Sequence, residues 1–377
     1  MLLRLIDYKN HKNFMPPNIP SDALAKIIKE LLSTGPISAS EFMSLALYHP
    51  EHGYYRRGAS QWGFDGKDYY TALDLGPLLG EAVAACLHQV WLELDRPDPF
   101  TILEPGAGRG WLGRDLLKAA AGDFSHAIRY IHCDDSPIAK QEAIQALEPW
   151  LNSGQAHIKN QDDKTDAFIG AVISNELLDA LPAQPWRWDG ERWKREALIS
   201  LDGGDAGFTQ WEAADPGEAG DWFSQCAEGG LQPDDGSIWV ESLPDILETI
   251  CKPMQKGLFL AIDYGDSAPK LIAKRAGLRR YLKHQTDGNW WESPGNSDLT
   301  ADVDLTRLTY LLERQGLRPQ KYTTLGHWVC AHAPLAQWEA EWMELPSTER
   351  AARKQNLMRL TLPNAMGDRF KVLYARR

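Results

Sequence analysis

Polar side chains follow four short apolar runs of this chain, at the points where strands of a sheet would end. They are Glu104, the pair Asp134 and Asp135, the pair Asn175 and Glu176, and Asp263 with Tyr264. Carboxylates and amides grouped in this way bind cations, accept hydrogen bonds from sugar hydroxyls or move protons. The pattern therefore predicts one polar site assembled from several strand ends.

A glycine-rich turn follows the first of these runs. Gly106, Gly108 and Gly110 alternate with single residues after Glu104, and helical spacing begins at Trp111. Such a turn lets the backbone approach a nucleotide-like ligand closely, but its spacing differs from the Gly-x-Gly-x-x-Gly of dinucleotide folds. The acid before the turn would repel a pyrophosphate and attract a cation. We therefore predict S-adenosylmethionine, which carries a sulfonium and an ammonium group, against the alternative of a glycine turn that only packs a helix on a sheet.

The acids after the second run suit a ribose. A carboxylate at this position of a nucleoside-binding sheet typically accepts hydrogen bonds from ribose hydroxyls. Asp134 is placed for this role, with Asp135 beside it. The alternative is that these acids only cap the helix that Pro137 begins.

The elements that would position these residues alternate along the chain. Apolar runs predict strands at 127–133, 167–174 and 257–262, besides the strand, turn and helix at 100–121. Helical segments between such runs are typical of a parallel α/β sheet, which binds its ligand at the carboxyl ends of its strands. Two further strands are predicted at 322–331 and 370–374.

The region 184–244 interrupts this alternation. Aromatic and charged residues alternate on both sides of an Asp189-Gly190 turn, which predicts a β-hairpin. We interpret the region as an antiparallel insertion and as a candidate for substrate binding.

The composition limits the classes of function. The chain has 377 residues, 43% of them hydrophobic, and a net charge of −12. This charge disfavours general affinity for nucleic acid. The five cysteines are scattered without a Cys-x-x-Cys pair, which disfavours a disulfide framework or a metal site. We predict no membrane span, because no apolar run approaches about 20 residues, and, without a secretory signal pattern, a cytoplasmic location.

The chain contains the motif Asn-Glu-Leu-Leu-Asp-Ala-Leu-Pro at 175–182. With this motif as the most distinctive match, the chain resembles the MidA family of S-adenosylmethionine-dependent methyltransferases, whose mitochondrial members are complex I assembly-factor methyltransferases. The other matching segments are 48–55, 68–72, 104–110, 263–265, 280–284, 298–301 and 366–373. One departure is Asp302, where many family members have His.

The resemblance implies a Rossmann-like class I methyltransferase fold. We expect a seven-stranded sheet with an N-terminal helical region and antiparallel and helical insertions. The expected organisation is an N-terminal helical or lid region at 1–95, a core at 96–183 and 245–377, and the insertion at 184–244.

The resemblance also implies methyl transfer to an arginine of a protein or peptide. A guanidinium is a poor nucleophile because its lone pairs are delocalised, and paired carboxylates can hold it as a fork. Glu176 and Asp179 are the first candidates, Asn175 is expected near the transferred methyl, and His284 could accept the departing proton. Asp263, Tyr264 and Asp302 are second choices. The cofactor would contact Glu104, Gly106, Gly108, Gly110, Asp134, Asp135 and Asn175.

Other functions stay open at this point. The fold could bind the cofactor as a non-catalytic assembly chaperone, or methylate another nitrogen acceptor in a small molecule or nucleic acid. Adenine methyltransferases follow their site Asn with Pro-Pro-aromatic, whereas Asn175 precedes Glu-Leu-Leu. The glycine spacing disfavours a dehydrogenase. The expected partner is a protein or peptide with an arginine, and a homodimer is one option for the oligomeric state.

Overall fold

The computed structural model describes residues 23–56, 71–200, 207–282 and 285–377. These residues form two compact units. The sheet unit comprises the described residues of Tyr70–Leu178, Asp245–Gly265 and Thr309–Arg377. The insertion unit comprises those of Met1–Tyr69, Asp179–Pro244 and Asp266–Leu308.

The described residues form strands of two to 13 residues, which belong to one large sheet and two smaller antiparallel sheets. They are β1 (Ile37–Ser38), β2 (Phe100–Pro105), β3 (Ile128–Cys133), β4 (Ala156–Lys159), β5 (Phe168–Asn175), β6 (Gln184–Trp188), β7 (Trp193–Ser200), β8 (Gly207–Ala213), β9 (Gly236–Trp239), β10 (Met254–Asp266), β11 (Arg279–Leu282), β12 (Gln285–Asp287), β13 (Asp298–Thr300), β14 (Val303–Asp304), β15 (Arg318–Pro319), β16 (Thr323–Thr324) and β17 (Phe370–Arg376).

Helices alternate with these strands along the chain. They are α1 (Ala23–Leu32), α2 (Ala39–Tyr48), α3 (Leu78–Glu93), α4 (Trp111–Ala119), α5 (Gly122–Ala127), α6 (Pro137–Ala146), α7 (Glu148–Asn152), α8 (Glu218–Cys226), α9 (Leu243–Cys251), α10 (Ala268–Ala273), α11 (Leu305–Arg314), α12 (Leu325–His332), α13 (Leu335–Met343), α14 (Ser347–Thr361) and α15 (Met366–Arg369). Short 3-10 helices cover Tyr54–Arg56 and Ala72–Leu75.

The main sheet runs in the order β15-β17-β10-β5-β2-β3-β4, and two-residue strands off this path bring it to nine strands in the described residues. The five strands from β10 to β4 are parallel, whereas β17 is antiparallel to β10. The α/β fold class is therefore confirmed. Because β10, β5, β2 and β3 are parallel neighbours, their carboxyl ends lie along one edge of the sheet.

Every residue of β2 is buried, as expected for a parallel strand covered by helices on both faces. At two points of the core, β5 against β2 and α4 against β3, the elements approach so closely that only glycine fits. A Cβ on Gly170 of β5 would lie 1.9 Å from the carbonyl oxygen of Thr101 in β2. A Cβ on Gly113 of α4 would lie 2.2 Å from the Tyr130 ring in β3. The helix after the glycine turn therefore packs directly on β3.

Helix starts follow their local signals. Ser136 is the N-cap of α6 and accepts a hydrogen bond from the Ala139 amide at 3.3 Å, with Pro137 in the first turn as predicted. Ser38 and Glu41 form a capping box at the start of α2. These caps satisfy amides that the first helical turn leaves without intrahelical partners.

The strand predicted at 322–331 is wrong. The structure has the two-residue strand β16 and then α12. The Thr324 side chain accepts a hydrogen bond from the His327 amide, and Leu325, Trp328 and Val329 are buried on one helical face. A run of apolar residues this short fits both the two-residue period of a strand and the 3.6-residue period of a helix. The cap formed by Thr324 favours the helix here. The strand predicted at 370–374 is confirmed by β17.

The insertion unit is mainly antiparallel. β1, β7, β6 and β9 pair in that order, with β8 beside β7. The hairpin predicted around Asp189 is confirmed by the pairing of β6 with β7, in which Trp188 lies opposite Trp193. Among the described residues, no helix combines the length and the apolar character that crossing a bilayer requires.

We expect Gly113→Ala to lower the free energy of unfolding by about 1–3 kcal/mol, because the added methyl group overpacks against Tyr130. Alanine in an exposed helix would instead stabilise it by about 1 kcal/mol relative to glycine. Chemical denaturation measures the difference. Lys118→Ala, at an exposed position of the same helix, is the control and should change stability by less than about 0.5 kcal/mol. A stabilised Gly113→Ala variant would contradict the packing described here.

Candidate functional site

The glycine turn lies between β2 and α4, and the end of β3 holds it by hydrogen bonds. The Ala107 amide donates to the Cys133 carbonyl at 3.1 Å, and the Gly108 amide donates to Asp134 Oδ2 at 2.9 Å. The Gly108 carbonyl accepts from His132 Nε2 at 2.8 Å. Three consecutive residues of β3 and the segment after it thus determine the shape of the turn.

All three glycines of the turn have positive φ, the left-handed region that side chains disfavour: +68° at Gly106, +52° at Gly108 and +70° at Gly110. A Cβ at Gly106 would lie 2.7 Å from Leu177 Cδ1, and one at Gly110 would lie 3.1 Å from the Ala143 Cβ. A Cβ at Gly108 would meet no atom of the described residues within 4 Å. The turn is therefore packed at its two ends and open at its middle glycine.

Glu104 lies at the end of β2 and is 3% exposed. It accepts a hydrogen bond of 2.5 Å from the Tyr130 hydroxyl, on the neighbouring strand. Burial, opposed by the Tyr130 hydrogen bond and aided by the charge of Asp134, raises the pKa of the Glu104 carboxyl to about 8. Glu104 is therefore mostly protonated at neutral pH in the protein alone.

Asn175 and Glu176 lie at the carboxyl end of β5, beside β2. Glu176 has φ of +49°, a left-handed conformation that is rare outside glycine, and its amide donates to the Ile262 carbonyl at 3.0 Å. The buried Oδ1 of Asn175 accepts no hydrogen bond within the part of the chain that the structure describes. Strained backbone and an unsatisfied buried acceptor are both features that concentrate at functional sites.

Asp263 completes the row at the end of β10, where it is 2% exposed. Its Oδ2 accepts from the Leu178 amide at 2.9 Å and its Oδ1 from the Tyr264 amide at 2.8 Å. The carboxylate thereby holds the segment after Glu176 against β10. Asp263, a second choice for catalysis, thus has a structural contact at each oxygen.

Asp134 and Asp135 also accept backbone hydrogen bonds. Asp134 Oδ1 accepts from the Ser136 amide at 2.7 Å, in addition to its bond to Gly108, and Asp135 Oδ1 accepts from the Gln161 amide at 3.0 Å. The helix cap itself is Ser136, and Asp134 links this cap residue to the glycine turn. Each carboxylate oxygen can accept a further hydrogen bond from a ligand.

The remaining candidates belong to the insertion unit or lie outside the described residues. Asp179 is buried in the insertion unit, where its carbonyl accepts from the Ala301 amide at 2.8 Å. Asp302 of the same unit forms an ion pair of 2.8 Å with Arg279 Nη1. His284 lies outside the described residues. The structure thus brings together Glu104, the turn, Asp134, Asp135, Asn175, Glu176 and Asp263 within the sheet unit.

Sequence reasoning missed two sets of residues around the turn. His132 and Tyr130 lie on one buried face of β3. Their polar side chains at alternate positions of the predicted strand were the sequence feature that could have indicated a role beside the turn. Arg109, inside the turn, pairs with Asp74 at 3.2 Å, and its guanidinium lies 3.6 Å from the centre of the Trp111 ring. The sequence carried no signal for this pairing, because Asp74 is 35 residues away.

Residues 82–323 match the model of a family described as "Putative S-adenosyl-L-methionine-dependent methyltransferase". The chain belongs to this family, and its cofactor is S-adenosylmethionine. The predicted methyltransferase class is confirmed.

Curated relatives cover most of the chain. The Drosophila melanogaster "Protein arginine methyltransferase NDUFAF7 homolog, mitochondrial" is 28% identical over 390 residues, which cover 93% of this chain and 84% of that protein. The Xenopus laevis "Protein arginine methyltransferase NDUFAF7, mitochondrial" is 28% identical over 312 residues, which cover 74% of this chain and 67% of that protein. Because these relatives are named as mitochondrial proteins, our prediction of a cytoplasmic location is wrong. The prediction failed because composition reports only solubility and redox environment, which the cytoplasm and the mitochondrion can share.

A crystal structure from Burkholderia thailandensis, bound to S-adenosyl-homocysteine, has the same fold. The TM-score is 0.83 at 24% identity, over 97% of this chain and 95% of that chain. A native crystal structure from the same organism gives a TM-score of 0.79 at 21% identity.

The raised pKa of Glu104 predicts a pH-dependent stability. The folded protein keeps a proton up to about pH 8 that the unfolded chain releases near 4.5, so stability falls as pH rises between these values. Between pH 6 and 8 the cofactor-free protein should lose about 2–3 kcal/mol relative to Glu104→Gln. Denaturation at several pH values measures this, with the exposed Glu148→Gln as control. Parallel pH curves for wild type and Glu104→Gln would contradict the burial effect.

Proposed function

We propose that this methyltransferase transfers the methyl group to an arginine guanidino nitrogen of a protein or peptide. The relatives reported above support the acceptor, since each is named as a protein arginine methyltransferase. The observation on which the proposal mainly depends is Glu176, held in a left-handed conformation at the carboxyl end of β5. A carboxylate kept there against the backbone preference suits a role in chemistry better than one in packing.

Our proposed cofactor site is the turn with the acids beside it: Glu104, Gly106, Gly108, Gly110, Asp134, Asp135 and Asn175. The residues fit S-adenosylmethionine, because the described residues leave open space beside Gly108 and offer no donor to the buried Oδ1 of Asn175. Asp134 and Asp135 would accept hydrogen bonds from ribose hydroxyls. The carboxyl of Glu104 would favour a nearby cation once it loses its proton.

The bound cofactor supplies a methyl group already activated by its sulfonium, so the protein's task is alignment of the acceptor. A carboxylate that accepts hydrogen bonds from two guanidinium nitrogens draws positive charge towards them and leaves the third nitrogen better able to attack. We assign this role to Glu176, together with Asp179. Both are acids in the segment directly after β5.

Two further residues complete the proposal. The amide of Asn175 would orient groups near the transferred methyl, and the imidazole of His284 would accept the proton that the guanidinium releases. In the insertion unit, Asp302 would be less available to an acceptor, because its Oδ1 already lies 2.8 Å from Arg279.

We retain the proposed organisation of the chain, with a lid region at 1–95, the core at 96–183 and 245–377, and the insertion at 184–244. The boundaries of the two compact units differ from it, since residues 71–95 belong to the sheet unit and residues 266–308 to the insertion unit. We propose a protein or peptide partner rather than nucleic acid, in keeping with the net charge of −12. A homodimer stays one option.

Gly108→Ala should weaken S-adenosyl-homocysteine binding at least about tenfold, because the new methyl group enters the space that we assign to the cofactor. Titration calorimetry measures the affinity. Gly122→Ala is the matched control, since Gly122 also has a left-handed φ, +59°, and open space around its Cβ. Both changes should cost about 1–2 kcal/mol of stability, but only the first should affect binding. Equal affinities in the two variants would remove the turn from the cofactor site.

Glu176→Gln should keep the affinity for S-adenosylmethionine and lose turnover by about 100-fold or more, because a neutral amide cannot polarise the guanidinium. The assay is S-adenosyl-homocysteine release with a library of arginine peptides, each paired with a twin in which lysine replaces arginine. The exposed Glu148→Gln serves as control. Undiminished turnover in Glu176→Gln would exclude the role assigned to Glu176. Equal turnover of the lysine twins by the wild type would exclude arginine as the acceptor.

A further inference from the structure

His132 is a buried polar side chain beneath the glycine turn to which the proposed function assigns no role. It has no exposed surface and lies directly opposite Glu104 in the parallel pairing of β3 with β2. Its Nε2 lies 2.8 Å from the Gly108 carbonyl oxygen. Because a carbonyl oxygen can only accept, His132 must donate from Nε2.

The tautomer of His132 is therefore determined by the turn. Its Nδ1 is buried and has no hydrogen-bond partner among the residues that the structure describes. Burial lowers the pKa of His132, although the hydrogen bond to Gly108 and the charge of Asp134 oppose this shift. A neutral imidazole with its proton on Nε2 fits all of these contacts.

Gly108 is held on both sides. Its amide belongs to the peptide plane shared with Ala107, and Asp134 binds that plane at 2.9 Å. Its carbonyl belongs to the plane shared with Arg109, and His132 binds that plane. The two contacts together restrain φ and ψ of a residue that has no side chain to restrain them. Losing either contact would free one of the two dihedrals at the only open position among the glycines of the turn.

We propose that His132 is a positioning residue for the cofactor, which acts by holding the Gly108–Arg109 peptide in the orientation that the cofactor binds. The inference rests on the proposed assignment of the turn to the cofactor. Because a backbone residue that is already ordered loses less conformational entropy on binding, we expect His132 to contribute on the order of tenfold in affinity.

The test compares His132→Leu with His132→Gln by S-adenosyl-homocysteine titration and by amide hydrogen exchange of residues 106–110 in the cofactor-free protein. His132→Leu removes the donor and should weaken binding about tenfold and speed exchange in the turn. The amide nitrogen of His132→Gln can reach the position of Nε2 and should restore much of both. Ile128→Val, buried on the same face of β3, is the control that loses packing without touching the turn.

Wild-type affinity and exchange in a folded His132→Leu variant would overturn the proposal. If that variant does not fold, His132→Asn takes its place, because the shorter side chain keeps polarity but cannot reach Gly108. Equal affinities of the Asn and Gln variants would then overturn it. Failure of the proposed function is recognised separately, since Gly108→Ala would bind S-adenosyl-homocysteine like Gly122→Ala, whatever the His132 variants do.

Discussion

The site depends on one constraint, the attachment of the glycine turn to the end of β3. Ala107 and Gly108 adopt their conformation because Cys133, Asp134 and His132 bind their two amides and the Gly108 carbonyl. Free glycine would populate many backbone conformations, and hydrogen bonds from a rigid strand select one of them. The parallel pairing of β2 with β3 makes this possible, since it ends both strands at the same edge.

The acids at this edge of the sheet differ in the groups that donate hydrogen bonds to them. Glu104 has a hydroxyl as its hydrogen-bond partner and holds its proton to about pH 8. Asp134 and Asp263 instead accept hydrogen bonds from backbone amides. Because Glu104 keeps its proton in the cofactor-free protein, the edge buries less uncompensated negative charge than a full row of ionised acids would.

Most of the site could be predicted from the sequence because its residues lie within a few positions of strand ends and glycines. Glu104, Asp134, Asn175 and Glu176 were found in this way, and the structure brings them to one edge. The segment 322–331 was misassigned, since Leu325, Trp328 and Val329 fit a short strand as well as one helical face. His284 lies outside the described residues, so its role stays a prediction.

The sequence by itself determined the α/β class, the glycine turn and the identity of the acids, because strand periodicity and turn chemistry are local. Only the tertiary structure decided that His132 and Asp134 bind opposite sides of Gly108, that Tyr130 holds Glu104, and that Glu176 has a left-handed backbone. These features arise from contacts between β2, β3, β5 and β10, which lie far apart in the chain. The sequence does not encode such contacts in any one segment, and close packing of the sheet creates them.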